Sequence, residues 1–358
     1  MVLAVLAAGP LVVLQRASRR SGSERPPVRR HTVGLAVAGA MLVGFGFLSL
    51  RCGALHVDTG TFWSAIADYD RGDTGQVVVR ELRVPRTIAG AVAGACFAVA
   101  GALTQGVTRN PLGAPGILGI NAGASFAIVM AVFVLGIATP AGYVWFAFAG
   151  ALGAAVLVYA VASAGRGGAT PVRLALSGAV ITALLGSWTA AVLLLDLETF
   201  DQVRFWLAGS IAGRGTEEIT LLFPIIVVAL VVGVAMGRQI NVVNLGEEVA
   251  TGLGSRAGLV RTGAWACVVA LAGSAVAIAG PVAFVGLAIP HVVRSLVGPD
   301  YRWILLYSAI LGPSLVLGAD VVGRVVVHPS ELQVGIVSAA VGAPFLVHIV
   351  RHTRLAEL

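Results

Sequence analysis

Residues 83–119 read RVPRTIAGAVAGACFAVAGALTQGVTRNPLGAPGILG. The central part, 87–107, carries no charge and has about the ~20 residues that a helix needs to cross a bilayer. Small residues recur along it, and in lipid these let neighbouring helix backbones approach closely. Pro111 and Pro115 follow, and neither can continue a regular helix. This stretch therefore predicts a membrane-spanning helix that leads into a broken segment of backbone.

Nine further apolar stretches extend this pattern over the chain. With 87–107 they are 33–50, 112–137, 141–163, 174–195, 219–237, 260–280, 282–297, 303–322 and 335–350. The chain is 58% hydrophobic and 11% charged, against about 25% charged in a soluble protein. We therefore predict an all-α, polytopic membrane protein with about ten transmembrane helices. Its predicted parts are a basic cytoplasmic segment (1–32), a transmembrane domain (33–351) and a cytoplasmic tail (352–358).

The basic residues predict an orientation. All 24 are Arg, and six of them fall between positions 16 and 30, which places the N-terminus inside. Ten spans then put both termini in the cytoplasm, with sixteen Arg in inner segments and eight in outer ones. Because the chain has no Lys, it cannot contain the phosphate-binding loop G-x-x-x-x-G-K-[ST]. If ATP drives this protein, another chain must bind the nucleotide.

Two stretches resemble each other at an offset of 179 residues. GACFAVAG at 94–101 matches GSAVAIAG at 273–280, and Pro111 and Gly119 meet Pro290 and Gly298. Under the predicted topology the two stretches run in opposite directions, as in the inverted repeats of transporters. Chance similarity between two helices rich in Ala and Gly is the alternative.

The longest inner loop lies between Arg238 and Arg261. Leu245, Val249 and Leu253 follow one another at helical spacing, which predicts a short amphipathic helix. Such a helix could dock into a groove of a cytoplasmic partner. It could instead lie on the membrane surface, although two adjacent Glu residues suit an anionic lipid surface poorly.

Seven motifs in one order give the chain a family resemblance. They are RVPRT at 83–87, QGVTRNPLGAPGILG at 105–119, FWLAGS at 205–210, LGEEVATGLG at 245–254, GPVAFVGLAIPHVVR at 280–294, GADVVGR at 318–324 and ELQVGIVSAAVGAPF at 331–345. With these motifs the chain resembles the permease subunits of ABC importers for ferric siderophores, haem and vitamin B12. The resemblance implies the fold of the vitamin B12 importer permease, in the plasma (inner) membrane of a bacterium.

The resemblance also implies partners and a function. The chain would be the permease subunit that translocates an iron–siderophore complex, haem or cobalamin, with two ATPase subunits and a second permease subunit, the same chain or a sister. An extracytoplasmic substrate-binding protein would deliver the ligand. The surroundings would be membrane lipid, with no nucleic acid. The chain would have no catalytic residue, no cofactor and no metal site.

Three groups of residues match functional positions of that family. Arg83, Arg86 and Arg324 match the outer Arg residues that dock the binding protein, although Arg at helix ends can also simply snorkel to the interface. The residues that match the ATPase-coupling helices are Leu245, Gly246, Glu247, Glu248, Val249 and Ala250. The inner gate matches Thr170, Pro171 and Val172, at the start of a helix whose Ser177, Thr182 and Ser187, with Ser338, are candidates to line the pathway.

Two other classes of membrane protein compete with this interpretation. A secondary transporter driven by an ion gradient needs ionisable residues inside its spans. The sequence has few, since Asp320 lies toward an outer end and no Glu or Lys lies in the middle of a span. A membrane scaffold or receptor without transport activity is the second alternative, and the proline-broken helices argue against it.

Overall fold

The architecture comes from a computed structural model that describes residues 28–53, 55–137, 139–164, 170–327 and 330–352. Residues 1–27 and 353–358 of the predicted terminal segments lie outside the described residues. The α-helices are α1 (Val28–Arg51), α2 (Thr59–Ala67), α3 (Thr74–Val77), α4 (Val84–Thr108), α5 (Ile120–Leu135), α6 (Pro140–Ser163), α7 (Pro171–Leu195), α8 (Leu197–Leu207), α9 (Glu217–Ala235), α10 (Gly237–Asn244), α11 (Glu247–Gly252), α12 (Ala257–Ala279), α13 (Val285–Val297), α14 (Tyr301–Val326) and α15 (Val334–His352). A π-helical turn (Val78–Arg83) joins α3 to α4, and a 3₁₀ turn (Pro115–Leu118) precedes α5.

Each of the ten predicted apolar stretches contains a helix, so the all-α fold with about ten apolar helices is confirmed. Seven of these helices are long and apolar enough to cross a membrane, judged by length and composition. The three shorter ones are α5, α13 and α15. Helix α5 follows the 3₁₀ turn, and α13 follows the irregular residues 280–284. Each helix is therefore shorter than the apolar stretch that contains it.

Helix α4 forms the centre of the bundle, with α12, α13 and α14 packed around it. Its glycines allow this packing. A Cβ at Gly101 would overlap the carbonyl oxygen of Gly286 in α13, and a Cβ at Gly94 would fall 2.7 Å from the backbone of Gly312 in α14. The predicted role of small residues in close helix contact therefore holds along this helix.

The backbone breaks where the prolines predict it, but the helix boundaries differ from the sequence prediction. Within the predicted stretch 112–137, residues 112–119 form a turn and the 3₁₀ segment, and the helix begins only at Ile120 after Gly119 adopts a left-handed conformation (φ 70°). Helix α1 begins at Val28, five residues before the predicted stretch 33–50. The segment between the first two predicted apolar stretches contains α2, α3 and the π-helical turn.

The two ends of the bundle separate the residues that the sequence assigned to opposite sides. Arg83, Arg86 and Arg324, all predicted outside, meet at one end. Arg109 and Arg294, both predicted inside, contact neighbours at the other end. These two groups therefore lie at opposite ends of α4, whichever end faces the cytoplasm.

The similarity between residues 94–119 and 273–298 does not extend to local structure beyond the first eight residues. At the offset of 179, α12 ends at Ala279, whereas α4 continues past Gly101 to Thr108. Pro290 lies inside α13, whereas Pro111 lies in a turn. The matched prolines thus have different local structures.

Candidate functional site

A cleft of about 500 Å³ opens at the end of the bundle where α1, the π-helical turn and α14 meet. Half of its twelve lining residues are charged. The lining residues are Gly53, Leu55, Val78, Glu81, Leu82, Arg83, Arg86, Gly213, Arg214, Gly215, Arg324 and Glu331. Four Arg and two Glu in one cleft leave a net positive charge, which favours an anionic occupant. All three Arg predicted to dock the binding protein line this cleft.

Arg86 forms two ion pairs. Its Nη2 lies 2.7 Å from Oδ1 of Asp320, and its Nη1 lies 2.7 Å from Oε2 of Glu331. Nε of Arg86 also donates to Asp320, at 3.1 Å. Asp320 is 1% exposed and Glu331 31% exposed, so one carboxylate lies deep in the bundle and the other at the cleft surface.

Arg83 and Arg324 both hold the C-terminal end of α1. Arg83 donates through Nη1 to the carbonyl oxygens of Leu50 and Arg51, at 2.9 and 2.8 Å. Arg324 donates through Nη1 to the carbonyl of Ser49 at 2.9 Å. A helix ends with unpaired carbonyls, so these two guanidinium groups supply the missing donors.

Arg324 also contacts the buried carboxylate of the cleft. Its Nη2 lies 2.8 Å from Oδ2 of Asp320, at an angle that does not make a hydrogen bond, and donates to Oγ of Ser49 at 2.9 Å. Arg83 and Arg324 are each only 4% exposed. They therefore stabilise the shape of the cleft, whereas Arg86 lies nearer its opening.

Arg214 is a further cation of the cleft, and it was not among the predicted site residues. It follows the motif FWLAGS and is 7% exposed. Its Nη1 donates to Oη of Tyr143 at 2.8 Å, while its Nε is buried without a partner. The position just after a matched motif was the one sequence signal for this residue.

The opposite end of the bundle fixes α10 against α4 and α14. Asn241 donates through Nδ2 to Asp300 at 2.7 Å and accepts from the main-chain N–H of Tyr301 at 2.9 Å. Arg109, at the left-handed end of α4 (φ 51°), donates to the carbonyl of Val243. Asp300 is also the N-cap of α14. Hydrogen bonds from Arg302 and then from Asn241 lower the pKa of Asp300 to about 2, so its carboxylate is ionised at neutral pH.

A short helix, α11, lies in the predicted loop, but it does not include all three apolar residues. Val249 lies within it, Leu245 ends α10 before the turn at Gly246, and Leu253 follows the end of α11. All three are exposed, at 50%, 62% and 64% respectively, and give the loop an apolar edge. Glu248 is exposed as well, whereas Ala250 is fully buried within this chain. Gly246 provides the turn into α11 with φ 118°, a conformation that favours glycine. The side chain of Glu247 lies outside the described part of the structure.

The predicted gate residues begin α7. Oγ1 of Thr170 caps the helix by accepting from the main-chain N–H of Arg173 at 3.4 Å, Pro171 occupies the first turn, and Val172 is exposed. Thr182 and Ser187, predicted to line the pathway, are exposed on the same helix. Ser338 is buried instead, and its hydroxyl donates to the carbonyl of Gly335.

No group of three or more His, Cys, Asp or Glu side chains is placed to hold a metal ion within the described ranges. The two ends of the bundle offer contact surfaces that differ in charge and polarity. One is a cationic cleft and the other an apolar edge beside a fixed loop.

Comparisons with known proteins agree on one family. The model of the FecCD transport family matches residues 41–352. The siderophore transport system permease protein YfiZ of Bacillus subtilis is 45% identical over 297 residues, 82% of this chain and 89% of that protein. The ferric enterobactin transport system permease protein FepD of Escherichia coli is 43% identical over 76% of this chain and 82% of its own length.

A more distant relative and a solved structure cover nearly the whole fold. The cobalamin import system permease protein BtuC of Halobacterium salinarum is 34% identical over 97% of this chain and 95% of that protein. A structure described as an inward-facing conformation of a metal-chelate type ABC transporter has a TM-score of 0.78. It is 25% identical and covers 89% of this chain and 99% of the other.

Proposed function

Because this chain belongs to the FecCD transport family and is a permease subunit of an ABC importer, we propose that it carries a ferric chelate into the cell. The matched relatives with 45% and 43% identity are named for a siderophore and for ferric enterobactin, and the cobalamin permease is 34% identical. That order favours an iron–siderophore complex over cobalamin. The relative with 45% identity over 82% of this chain, which is named for a siderophore, carries the proposal.

The composition of the chain supports the assignment of ATP hydrolysis to a separate subunit. The chain has no Lys, and so it lacks the lysine of a nucleotide-binding loop. We propose that two separate ATPase subunits hydrolyse ATP and grip the segment Leu245–Ala250. The exposed edge of Leu245 and Val249 supports this contact, because an amphipathic helix typically lays its apolar side into a groove of the partner.

The anchoring of α10 would allow this contact to transmit motion from the ATPase to the bundle. Asn241 ties α10 to the start of α14, and Arg109 ties it to the end of α4. A displacement of α11 would therefore reach two long helices of the bundle instead of being lost in a flexible loop. The pathway would open and close as the two permease subunits rock against each other.

The cationic cleft is the proposed outer contact. We assign the docking of an extracytoplasmic binding protein to the cleft around Arg83, Arg86 and Arg324. Complementary charge speeds the encounter of two proteins and fixes their orientation. This assignment puts the coupling loop and both termini in the cytoplasm, as the excess of inner Arg residues predicts.

The proposed pathway runs along α7 at the contact with a second permease subunit, either the same chain or a sister. Thr182 and Ser187 are exposed on this otherwise apolar helix. The gate assigned to Thr170, Pro171 and Val172 lies at its first turn, at the end of the bundle that we place inside. Small, weakly polar groups suit the passage of a bulky chelate without tight binding.

Uptake in a strain that lacks this chain tests the proposal. We expect the gene to restore uptake of a radiolabelled ferric siderophore, and a partner ATPase with an inactivated site to abolish it. Labelled haem and labelled cobalamin serve as competing cargoes. Uptake that continues with the inactive ATPase and follows the proton gradient would instead establish a secondary transporter.

A further inference from the structure

Arg214 is a buried cation without a carboxylate partner among the residues that the structure describes. It is only 7% exposed, and its guanidinium carbon lies 5.7 Å from the centre of the Tyr143 ring. Nε has no hydrogen-bond partner, and Nη1 donates only to the neutral Tyr143 hydroxyl. The buried Glu218 lies four positions further along the chain, but it forms no ion pair with Arg214. A buried charge is costly unless it is paired, so a carboxylate that entered the cleft would gain a favourable partner in Arg214.

The cleft already contains one anion that an incoming carboxylate could replace. Glu331 pairs with Nη1 of Arg86 and is 31% exposed, whereas Asp320 holds the other side of the same guanidinium and is 1% exposed. Glu81 also lines the cleft, but it accepts a hydrogen bond from Oη of Tyr69 at 2.6 Å. Of these three carboxylates, Glu331 alone is both paired with Arg86 and accessible from the cleft.

We propose that an acidic side chain of the binding protein enters the cleft, pairs with Arg214 and displaces Glu331 from Arg86. This inference rests on the docking role proposed above and adds the two residues that decide its strength. Glu331 acts as an internal competitor, because a site occupied by its own carboxylate binds an external one with a reduced apparent affinity. Arg214 supplies the charge-assisted hydrogen bonds that the external carboxylate gains.

The position of Glu331 connects this exchange to the proposed pathway. Glu331 precedes α15, and the next residue, Leu332, donates its main-chain N–H to the carbonyl of Gly323 at 3.0 Å. Gly335, at the start of α15, donates in the same way to Gly209 at 2.9 Å. Releasing Glu331 therefore frees one of the contacts that hold the segment leading into α15.

Two matched substitutions test the role of Glu331. The complete importer, with its ATPases and in lipid nanodiscs, is titrated with the binding protein that supports siderophore uptake in the same strain. We expect Glu331→Gln to tighten binding about three- to tenfold. Glu81→Gln makes the same change of charge in the same cleft without freeing Arg86, and we expect it to change the affinity less than twofold.

A second pair tests Arg214. We expect Arg214→Gln to weaken binding about tenfold or more, since a charge-assisted hydrogen bond is lost. Arg204→Gln removes the same charge from the exposed face of α8, outside the cleft, and should leave the affinity unchanged. Tyr143→Phe removes the hydrogen bond to Arg214 but keeps the cation, and should also bind normally.

The outcomes distinguish a failure of the docking role from a failure of the exchange proposed for Glu331 and Arg214. If the unaltered importer does not bind the binding protein, the docking role itself is wrong. If it binds but Glu331→Gln behaves like Glu81→Gln, or Arg214→Gln binds like the unaltered importer, the exchange proposed here is wrong. Equal weakening by Tyr143→Phe and Arg214→Gln would show that Arg214 acts only by supporting the fold.

Discussion

Arg86 and Asp320 lie 234 positions apart in the chain and form an ion pair of 2.7 Å at the end of the bundle. This pair joins α4 to α14, which are the two most extensively packed helices. Arg324, one helical turn from Asp320, contacts the same carboxylate from the other side. The shape of the cationic cleft therefore depends on one buried acid shared between two cations.

Removing Arg86 should destabilise the bundle through Asp320. Arg86→Met leaves a buried carboxylate with Arg324 as its one remaining ion-pair partner, and we expect a loss of about 3 kcal/mol, the low end of the cost of breaking a buried pair. The double variant Arg86→Met, Asp320→Asn should recover only part of this, because it removes the buried negative charge but leaves the buried Arg324 without its ion-pair partner. Thermal unfolding in detergent measures both, and a double variant less stable than Arg86→Met would contradict the explanation.

Close backbone contact between α4 and α13 should make Gly101 intolerant of any side chain. We expect Gly101→Ala to reduce stability by about 3 kcal/mol or more, because the added Cβ overlaps the carbonyl of Gly286 and rigid backbone must move. Gly153→Ala in α6 is the control, since a Cβ there meets nothing within 4 Å. Equal yields and equal melting temperatures for the two variants would show that the helices can separate at little cost.

The anchor between Asn241 and Asp300 should couple the inner loop to transport. Asn241→Leu removes both of its bonds to the start of α14, and we expect ATP hydrolysis to continue while uptake falls severalfold. Asn244→Leu is the control on the same helix, because Asn244 donates only to the carbonyl of Ile240 in α10. Normal uptake with Asn241→Leu would show that the anchor does not transmit motion.

The pH dependence of this anchor follows from the pKa of Asp300, which is lowered to about 2 chiefly by the hydrogen bond from Arg302. A lowered folded-state pKa means that the contribution is complete above the unfolded pKa of ~3.9 and is lost as the pH falls toward 2. The uptake defect of Asn241→Leu should therefore have the same size at about pH 6 and about pH 8. A defect that disappears within this range would assign the effect to another titrating group.

The apolar edge of α11 should determine the association with the ATPase. We expect Val249→Glu to abolish co-purification of the ATPase subunits, since it places a charge at the centre of a contact that excludes water. Val249→Ile keeps the apolar edge and serves as the matched control. Retained ATPase with Val249→Glu would direct attention away from α11 and toward another inner surface.

The sequence determined the class of fold and the order of the helices. Stretches such as 87–107 are apolar over the thickness of a bilayer, and backbone in lipid must satisfy its hydrogen bonds internally, which leaves the helix as the local solution. The breaks near Pro111 and Pro115 were likewise predictable, because proline lacks an N–H donor. The spacing of Leu245, Val249 and Leu253 likewise indicated a short helix in this loop, although only Val249 lies in α11 because the backbone turns at Gly246.

The tertiary structure alone decided the partners of the charged residues. Arg83, Arg86 and Arg324 look equivalent as flanking residues in sequence, but two of them hold the end of α1 and one is divided between Asp320 and Glu331. Arg214 joins the same cleft from a different segment. Which donor meets which acceptor depends on contacts between residues 33 to 275 positions apart, and local periodicity contains no information about contacts at those distances.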